Sequence, residues 1–231
     1  MTQFRMSASA SRSLVRAITL SAMAIAPAAL AGPDWDEGPT DAGNTVATAQ
    51  VITTTGSINT VTGRLNGTAL TGGGDFQDCF LINIDSPMAF SLTTAPGTGG
   101  PAGFAPMMFL FRIDLRDGVF VAKAVMANND IALGNPQAGL KQESNDGSGT
   151  IVATSGLYLI AISGFGSQPI NAAGQFLFNQ QFLQAGIFGG PAAAPVEDYL
   201  LAGWSAPGSY GNYLMTITGV SGAQIPAPGA L

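Results

Sequence analysis

Nine short runs rich in Val, Ile, Phe, Leu and Thr, separated by turn residues, are the feature that most constrains how this chain can fold. Such runs between Gly, Pro, Asn and Asp clusters are typical of β-strands. Glycine is frequent, with 31 residues, and only 10% of the chain is charged. The pattern predicts an all-β protein, an antiparallel β-sandwich of about nine short strands. The predicted strands are residues 47–53, 57–65, 79–85, 88–94, 107–114, 118–125, 150–154, 157–163 and 213–219.

Alternation within these runs assigns side chains to the two faces of each strand. Phe80, Ile82 and Ile84 share one face of their strand, opposite Cys79 and Leu81. We expect this face, and the matching faces of three other strands, to form the core between two sheets. The matching sets are Met107, Phe109, Phe111 and Ile113; Tyr158, Ile160 and Ile162; and Tyr213, Met215 and Ile217.

Two connections are predicted to be tight hairpins, Ser86-Pro87 and the turn containing Asp117-Gly118. A long insertion, residues 164–211, interrupts the rhythm of strands and contains one candidate helix at 175–184. Its aromatic residues allow two interpretations, a cover over one end of the sandwich or a ligand site, and packing is the more common role. These residues are Phe176, Phe178, Phe182 and Trp204.

The N-terminus is typical of a secretory signal peptide. Arg5, Arg12 and Arg16 precede an apolar stretch that ends in Ala29-Leu30-Ala31. The stretch is shorter than the roughly 20 residues of a membrane-spanning helix, so we expect cleavage near Ala31, although an uncleaved anchor is the alternative. The predicted organisation is a signal peptide (1–31), a linker (32–45), a sandwich domain (46–220) and a Pro/Gly-rich tail (221–231). A secreted or cell-surface location follows, with no transmembrane span in the mature chain.

The charge balance argues against nucleic acid as a partner. Beyond residue 31 the chain has five basic and fourteen acidic residues, a net charge of −9. Binding to a phosphate backbone depends on clustered Lys and Arg, and the five basic residues are scattered. The oligomeric state is not indicated.

The residue types also restrict catalysis. Histidine is absent, which removes the commonest general base and the centre of a Ser-His-Asp triad. Cys79, the single cysteine, cannot form a disulfide within the chain, and an inert packed thiol is favoured over a nucleophile because no base or cation adjoins it in sequence. A carboxylate pair formed by Asp75 and Asp78 is the remaining catalytic alternative. We therefore predict a protein that is not an enzyme.

Acidic and amide residues in turns are the candidate ligands for a metal ion. Calcium takes six to eight oxygen ligands, and loops at one end of a sandwich could bring such side chains together. Plain turn chemistry is the alternative, because Asn, Asp and Gly dominate turns without any metal. The candidate calcium ligands are Asp75, Asp78, Asn128, Asn129 and Asp130.

Several short motifs, in order, resemble the bacterial pre-peptidase C-terminal (PPC) domain family. They are DAGNTVATAQ, the Gly-x-Leu of TGRLNG, the Asp-x-x-Asp-x-Phe of GGGDFQDCFLINI, the hairpin MMFLFRIDLRDG, NND and SGLYLIAISG. The resemblance covers residues 41–164 and implies a secreted, non-catalytic, jelly-roll-like sandwich that accompanies exported peptidases and other surface proteins. The chain departs from the family pattern in the insertion and in having no attached catalytic domain.

The ending IPAPGAL resembles the start of a PEP-CTERM sorting tail, without its apolar helix and basic cluster. A truncated tail, a released soluble product and a plain flexible terminus are the three interpretations. Together the observations favour a structural or interaction role at the cell surface or in the extracellular matrix. The alternative is a calcium-dependent module that binds a surface polysaccharide or a protein.

Overall fold

A computed structural model describes residues 35–67, 74–94, 102–193 and 198–225. The predicted signal peptide and most of the sorting-tail motif lie outside these ranges. The strands are β1 (Trp35–Asp36), β2 (Gln50–Val51), β3 (Thr60–Leu65), β4 (Gln77–Ile84), β5 (Ser91–Thr93), β6 (Pro106–Arg116), β7 (Val119–Asn128), β8 (Gly139–Lys141), β9 (Gly156–Gly164), β10 (Pro169–Ile170), β11 (Gly203–Trp204), β12 (Gly211–Thr218) and β13 (Val220–Gly222). Two 3₁₀ helices, Pro87–Ala89 and Gln180–Leu183, are the helical elements of the described ranges.

Most strands form two packed sheets, so the prediction of an all-β sandwich is confirmed, and β10 and β11 pair separately as a two-stranded sheet within the insertion. One sheet has the order β1-β3-β12-β5-β8, and the other has the order β13-β4-β9-β6-β7 with β2 also paired to β4. Neighbours are antiparallel except in the β1–β3 and β2–β4 pairs. Five short strands were not predicted (β1, β8, β10, β11 and β13), and predicted strand 150–154 forms only an isolated bridge at Ile151. Within the described part of the chain, no helix has the length and apolar character needed to cross a membrane.

The inner core lies between the two sheets. Phe80 pairs with Ile160, which pairs in turn with Leu110, so these three side chains share the inner face of the larger sheet. Tyr213, Met215 and Ile217 of β12 are buried in the same cluster. The predicted faces of β4, β9 and β12 are therefore confirmed.

The predicted face of β6 is wrong, because it belongs to a second core on the outer side of the larger sheet. Phe109 pairs with Ala161, on the face opposite Ile160, so Met107, Phe109 and Phe111 point away from the smaller sheet. The inner face of this strand carries Met108 and Leu110. Both faces of β6 are apolar, and for such a strand alternation alone cannot say which face is inner.

The insertion covers this outer face and not one end of the sandwich. The rings of Phe178 and Phe182 are buried against Phe109, with centroids 5.5 and 5.8 Å apart. Phe176 is 42% exposed. Cys79 is fully buried in the same cluster, and burial raises the pKa of its thiol, as expected for an inert packed cysteine.

The predicted helix at 175–184 is wrong in all but its last turn. Phe178 pairs with Pro191 in an isolated bridge, and the 3₁₀ helix Gln180–Leu183 begins only after Asn179, whose side chain accepts a hydrogen bond from the Gln181 N–H. Extended backbone at Phe178 followed by one tight turn lets both Phe178 and Phe182 reach the sheet.

Of the two predicted hairpins, one is confirmed. Asp117 and Gly118 join β6 to β7 with φ of 50° and 79°, the left-handed conformations of a primed turn. The Ser86-Pro87 hairpin is wrong, because β4 and β5 belong to different sheets and the 3₁₀ helix Pro87–Ala89 carries the chain across.

Candidate metal centre

Three carboxylates from two distant parts of the sequence converge at the start of β4. Asp78 is the second residue of that strand, and Glu37 follows β1 and continues its pairing through a Glu37 N–H to Thr62 C=O hydrogen bond of 3.0 Å. The chain then turns so that the Gly43 carbonyl accepts a hydrogen bond from the Cys79 N–H, at 2.9 Å. One carboxylate oxygen from each of Glu37, Asp41 and Asp78 lies within 4.8 Å of the other two.

Asp78 is the most unusual member of this acidic cluster, which we define as Glu37, Asp41 and Asp78. Its side chain has 0% exposure. The Tyr213 hydroxyl donates a 2.7 Å hydrogen bond to Oδ2, whereas Oδ1 is buried and accepts no hydrogen bond from the described residues. A buried oxygen without a donor costs free energy, since it has lost its water and gained no partner.

Glu37 is held by backbone donors. Its carboxylate accepts hydrogen bonds from the Arg64 N–H at 2.8 Å and the Ala42 N–H at 3.2 Å. Gly63 makes room for this arrangement, because a Cβ there would lie 2.5 Å from Glu37 Oε2 and closer still to the Tyr213 hydroxyl. Glycine inside a strand often marks such a close approach.

Burial and mutual repulsion raise the pKa values of Glu37 and Asp78. Burial raises the pKa of Glu37 to about 7, against the hydrogen bonds from Arg64 and Ala42. Burial, with the charge of Glu37 as the next cause, raises the pKa of Asp78 to about 9. Arg64 lines the adjacent pocket, but no basic side chain of the described ranges lies within 4.0 Å of the cluster, since Arg112 to Asp114 is the one ion pair there. Protons or a bound cation would complete the neutralisation.

The donor set fits calcium. Calcium–oxygen distances of about 2.3–2.6 Å place two ligands at most roughly 5 Å apart, consistent with the 4.8 Å limit on the cluster. Carboxylate oxygens are the ligands this hard cation prefers. Asp41 is exposed, and Glu37 and Tyr213 line a solvent-facing pocket of about 330 Å³, so an ion could reach the cluster.

Asp75, a predicted ligand, lies beside the cluster. Its Oδ2 accepts a 2.7 Å hydrogen bond from the Asn66 N–H, while Oδ1 is buried without a donor among the described residues. Its charge also contributes to the raised pKa of Glu37 and of Asp78. Asp75 is not one of the three residues with oxygens within 4.8 Å of one another.

The other three predicted ligands lie at the same end of the sheet but three strands away. Asp78 pairs with Ile162, Ile162 with Met108, and Met108 with Asn128. Neighbouring strands are about 4.8 Å apart, which separates Asp78 from Asn128 by roughly 14 Å. The five predicted residues therefore cannot share one ion.

Asn128 has a structural role in its own region. Its Nδ2 donates to the Ile187 carbonyl at 2.8 Å, and its Oδ1 accepts from the Gly139 N–H at 3.0 Å, which ties the insertion and β8 to the end of β7. Asn129 Oδ1 is buried without a donor in the described structure, and burial raises the pKa of Asp130. That Asn129 and Asp130 bind an ion remains a prediction.

Sequence reasoning missed Glu37 and Asp41, which it assigned to the linker 32–45. The sequence feature that could have identified them is the acid-rich stretch DWDEGPTD, residues 34–41, which holds four of the fourteen acidic residues. Its described part is joined to the sandwich, since β1 pairs with β3 and the Gln50 side chain bonds both Trp35 Nε1, at 2.6 Å, and the Glu37 carbonyl, at 2.9 Å.

Comparisons with known proteins do not assign the chain to a family. No protein-family model matches the chain, and no significant match is found among curated proteins or among solved structures.

Proposed function

We propose that this chain is an exported, non-catalytic β-sandwich that binds calcium through Glu37, Asp41 and Asp78 and has a structural or interaction role at the cell surface or in the extracellular matrix. The observation that carries the calcium site is Asp78 Oδ1, a buried carboxylate oxygen with no donor, next to two further carboxylates. A calcium ion would give this oxygen a partner and offset the repulsion that raises the pKa values of Asp78 and Glu37.

The ion would join two segments far apart in sequence. Glu37 and Asp41 belong to the N-terminal segment, and Asp78 belongs to the larger sheet. The N-terminal segment is held by a two-residue strand and a few hydrogen bonds, among them Cys79 N–H to the Gly43 carbonyl, so an ion shared with β4 would further stabilise its position. Calcium would then act as a structural cross-link.

Support for export comes from the sequence. Residues 1–31 are typical of a secretory signal peptide, and the ordered motifs resemble the PPC family of exported proteins. The tail resembling a PEP-CTERM signal favours a surface location. Calcium at millimolar concentration outside cells would suit a site of modest affinity.

The proposed role of the cluster is not catalytic, and the burial of Asp78 supports this for that residue. A general acid needs a raised pKa, which Asp78 has, but it must also contact the substrate. With 0% exposure, Asp78 offers no atom to a substrate.

Thermal unfolding of the purified protein in chelator and then in excess calcium tests the proposal. At 100 times the dissociation constant, binding adds about 2.7 kcal/mol to the free energy of unfolding. For a domain of this size the midpoint should rise by roughly 5–10 °C. Magnesium should give a smaller shift, because it demands a tighter octahedral geometry.

Two matched substitutions locate the ion. Asp78→Asn should abolish the calcium shift, and Asp130→Asn, the same substitution three strands away, should retain it. Loss of the shift in Asp130→Asn alone would move the site to the end of β7. Absence of any shift in the wild-type protein would contradict the proposal.

A further inference from the structure

A basic pocket lies away from the acidic cluster, near the other end of the larger sheet. Arg112 pairs with Tyr158, and Tyr158 pairs with Ile82, four residues along β4 from Asp78. At about 3.3 Å per residue this is roughly 13 Å along the strands. The pocket has a volume of about 240 Å³.

Two of the five basic residues beyond residue 31 face this pocket. Arg112 and Lys123 are directly opposite each other on β6 and β7, and both line the pocket. Like charges directly opposite on neighbouring strands are unfavourable. A placement that costs stability without a structural gain is more often found at functional sites than elsewhere.

The two cations differ in how they are compensated. Asp114 accepts hydrogen bonds from Arg112 Nε at 2.9 Å and from Arg112 Nη2 at 3.2 Å. These two bonds hold the guanidinium in place, and its Nη1 group takes no part in them. Lys123 has no carboxylate oxygen within 4.0 Å in the described ranges. Among the residues that line the pocket, Arg112 and Lys123 are the charged ones, on a strongly acidic protein.

The remaining lining suits a sugar. The Thr150 hydroxyl, which accepts a hydrogen bond from Ser148 Oγ, keeps its own proton to donate, and Ile151, 48% exposed, provides an apolar wall. The Tyr158 hydroxyl donates to the Thr154 carbonyl at 2.9 Å, which fixes the side of the pocket formed by these two residues. A pyranose ring has the same combination of hydroxyl groups and apolar C–H faces. Ligand sites generally combine apolar walls with a few polar groups that fix orientation.

We propose that Arg112 and Lys123, opposite each other in this pocket, bind the carboxylate of a uronic acid residue in an acidic polysaccharide. Lys123 would contact the carboxylate as a point charge, and Arg112 would donate from its remaining edge while Asp114 keeps it oriented. Nucleic acid is a poorer fit, because its dense phosphates need many more cations than these two.

Affinity electrophoresis with polygalacturonate tests this proposal. The protein is run through gels with and without the polymer, in chelator, so that calcium cannot bridge the polymer to the acidic cluster. Polygalacturonate should retard the wild-type protein, and neutral dextran should not. Because the contacts are charged, the retardation should weaken as salt increases.

Substitutions make the test specific to the pocket. Lys123→Gln and Arg112→Gln should each weaken binding at least tenfold, and Lys123→Arg should keep most of it. Arg116→Gln, with the same change of charge on β6 outside the pocket, should weaken it less than twofold. Thermal midpoints near that of the wild type would show that these variants fold.

Three results would overturn the proposal: no retardation by polygalacturonate, equal retardation by dextran, or an equal loss in Arg116→Gln. The pocket is independent of the calcium site, so Asp78→Asn should bind polygalacturonate as the wild type does. Failure at one site therefore does not count against the other.

Discussion

The acidic cluster and the basic pocket each place like charges side by side, yet they differ in exposure. Asp78 is fully buried, whereas the Arg112 side chain is 48% exposed. In the cluster, burial raises the pKa of Asp78 to about 9, so protonation or a cation is required. In the pocket, water screens the repulsion between the two basic side chains. The same repulsion therefore predicts that protons or a bound cation neutralise the buried cluster, whereas the exposed pocket takes an exchangeable ligand.

The largest expected difference between the acidic cluster and the basic pocket is in how each makes the free energy of unfolding depend on pH. Without calcium, the free energy of unfolding should fall as the pH rises from about 5 through 7, the pKa of Glu37, to about 9, the pKa of Asp78. Over this range carboxyls of the unfolded chain have already lost their protons, whereas these two keep them in the folded state. The folded state binds more protons, so stability is greatest at low pH and is lost as these groups ionise.

Urea unfolding at pH 5, 7 and 9 measures this slope. Asp78→Asn should flatten it between pH 7 and 9, and Lys123→Gln should leave it parallel to that of the wild type. Calcium should also stabilise more strongly at pH 9 than at pH 6, because it competes with protons for the same oxygens. A wild-type stability that rises with pH in chelator would contradict the assigned burial of these carboxyls.

The next largest effect should come from Gly63→Ala. The added methyl group would meet Glu37 Oε2 and the Tyr213 hydroxyl, so both must move. Overpacking of this kind costs about 1–3 kcal/mol, and calcium binding should be lost with the geometry. Gly203→Ala is the matched control, since nothing lies within 4 Å of its Cβ position. Thermal midpoints with and without calcium measure both effects, and equal behaviour of the two variants would be contrary to expectation.

Tyr213→Phe should have an intermediate effect. The substitution removes the 2.7 Å hydrogen bond to Asp78 Oδ2 and leaves that buried carboxyl without a donor. We expect a loss of about 1–2 kcal/mol and a higher pKa for Asp78, because the hydrogen bond lowers it. Tyr210→Phe, at a residue 57% exposed, is the control and should change urea midpoints little. Equal midpoints for both variants would show that the Tyr213 hydroxyl does not matter.

The smallest effect should be a gain of stability in Lys123→Gln. Removing one of two opposed charges on neighbouring strands should stabilise the protein by a few tenths of a kcal/mol at low salt. The gain should disappear at high salt, since the charges are exposed. Denaturant midpoints at two salt concentrations test it. A loss of several kcal/mol would mean that Lys123 has a structural role instead.

Prediction from the sequence succeeded where a residue pattern is compatible with one local structure only. In β12 the alternation identifies a single inner face, and Asp117-Gly118 specifies a primed turn. In β4 and β9 both faces are buried, and the face with the larger side chains is the inner one. In β6 both faces are also buried, but there the larger aromatic side chains lie on the outer face, so the prediction failed. The inner face of Met108 and Leu110 and the outer face of Phe109 and Phe111 are equally apolar, so only the position of the insertion distinguishes them.

The candidate metal centre was predictable only in part, for a similar reason. Asp78 was identified because it stands at the start of a clear strand. Glu37 and Asp41 lie in a segment without strand signals, and they reach Asp78 only through the parallel β1–β3 pair and the Gly43 to Cys79 hydrogen bond. Non-local contacts of this kind leave no periodic trace in a sequence.

Isothermal titration of calcium into chelator-treated protein at pH 7.5 tests the central claim most directly. We expect one site per chain in the wild type, release of protons on binding, loss of the site in Asp78→Asn and its retention in Asp130→Asn. A wild-type protein that takes up no calcium, or an Asp78→Asn variant that binds it as tightly as the wild type, would contradict the account.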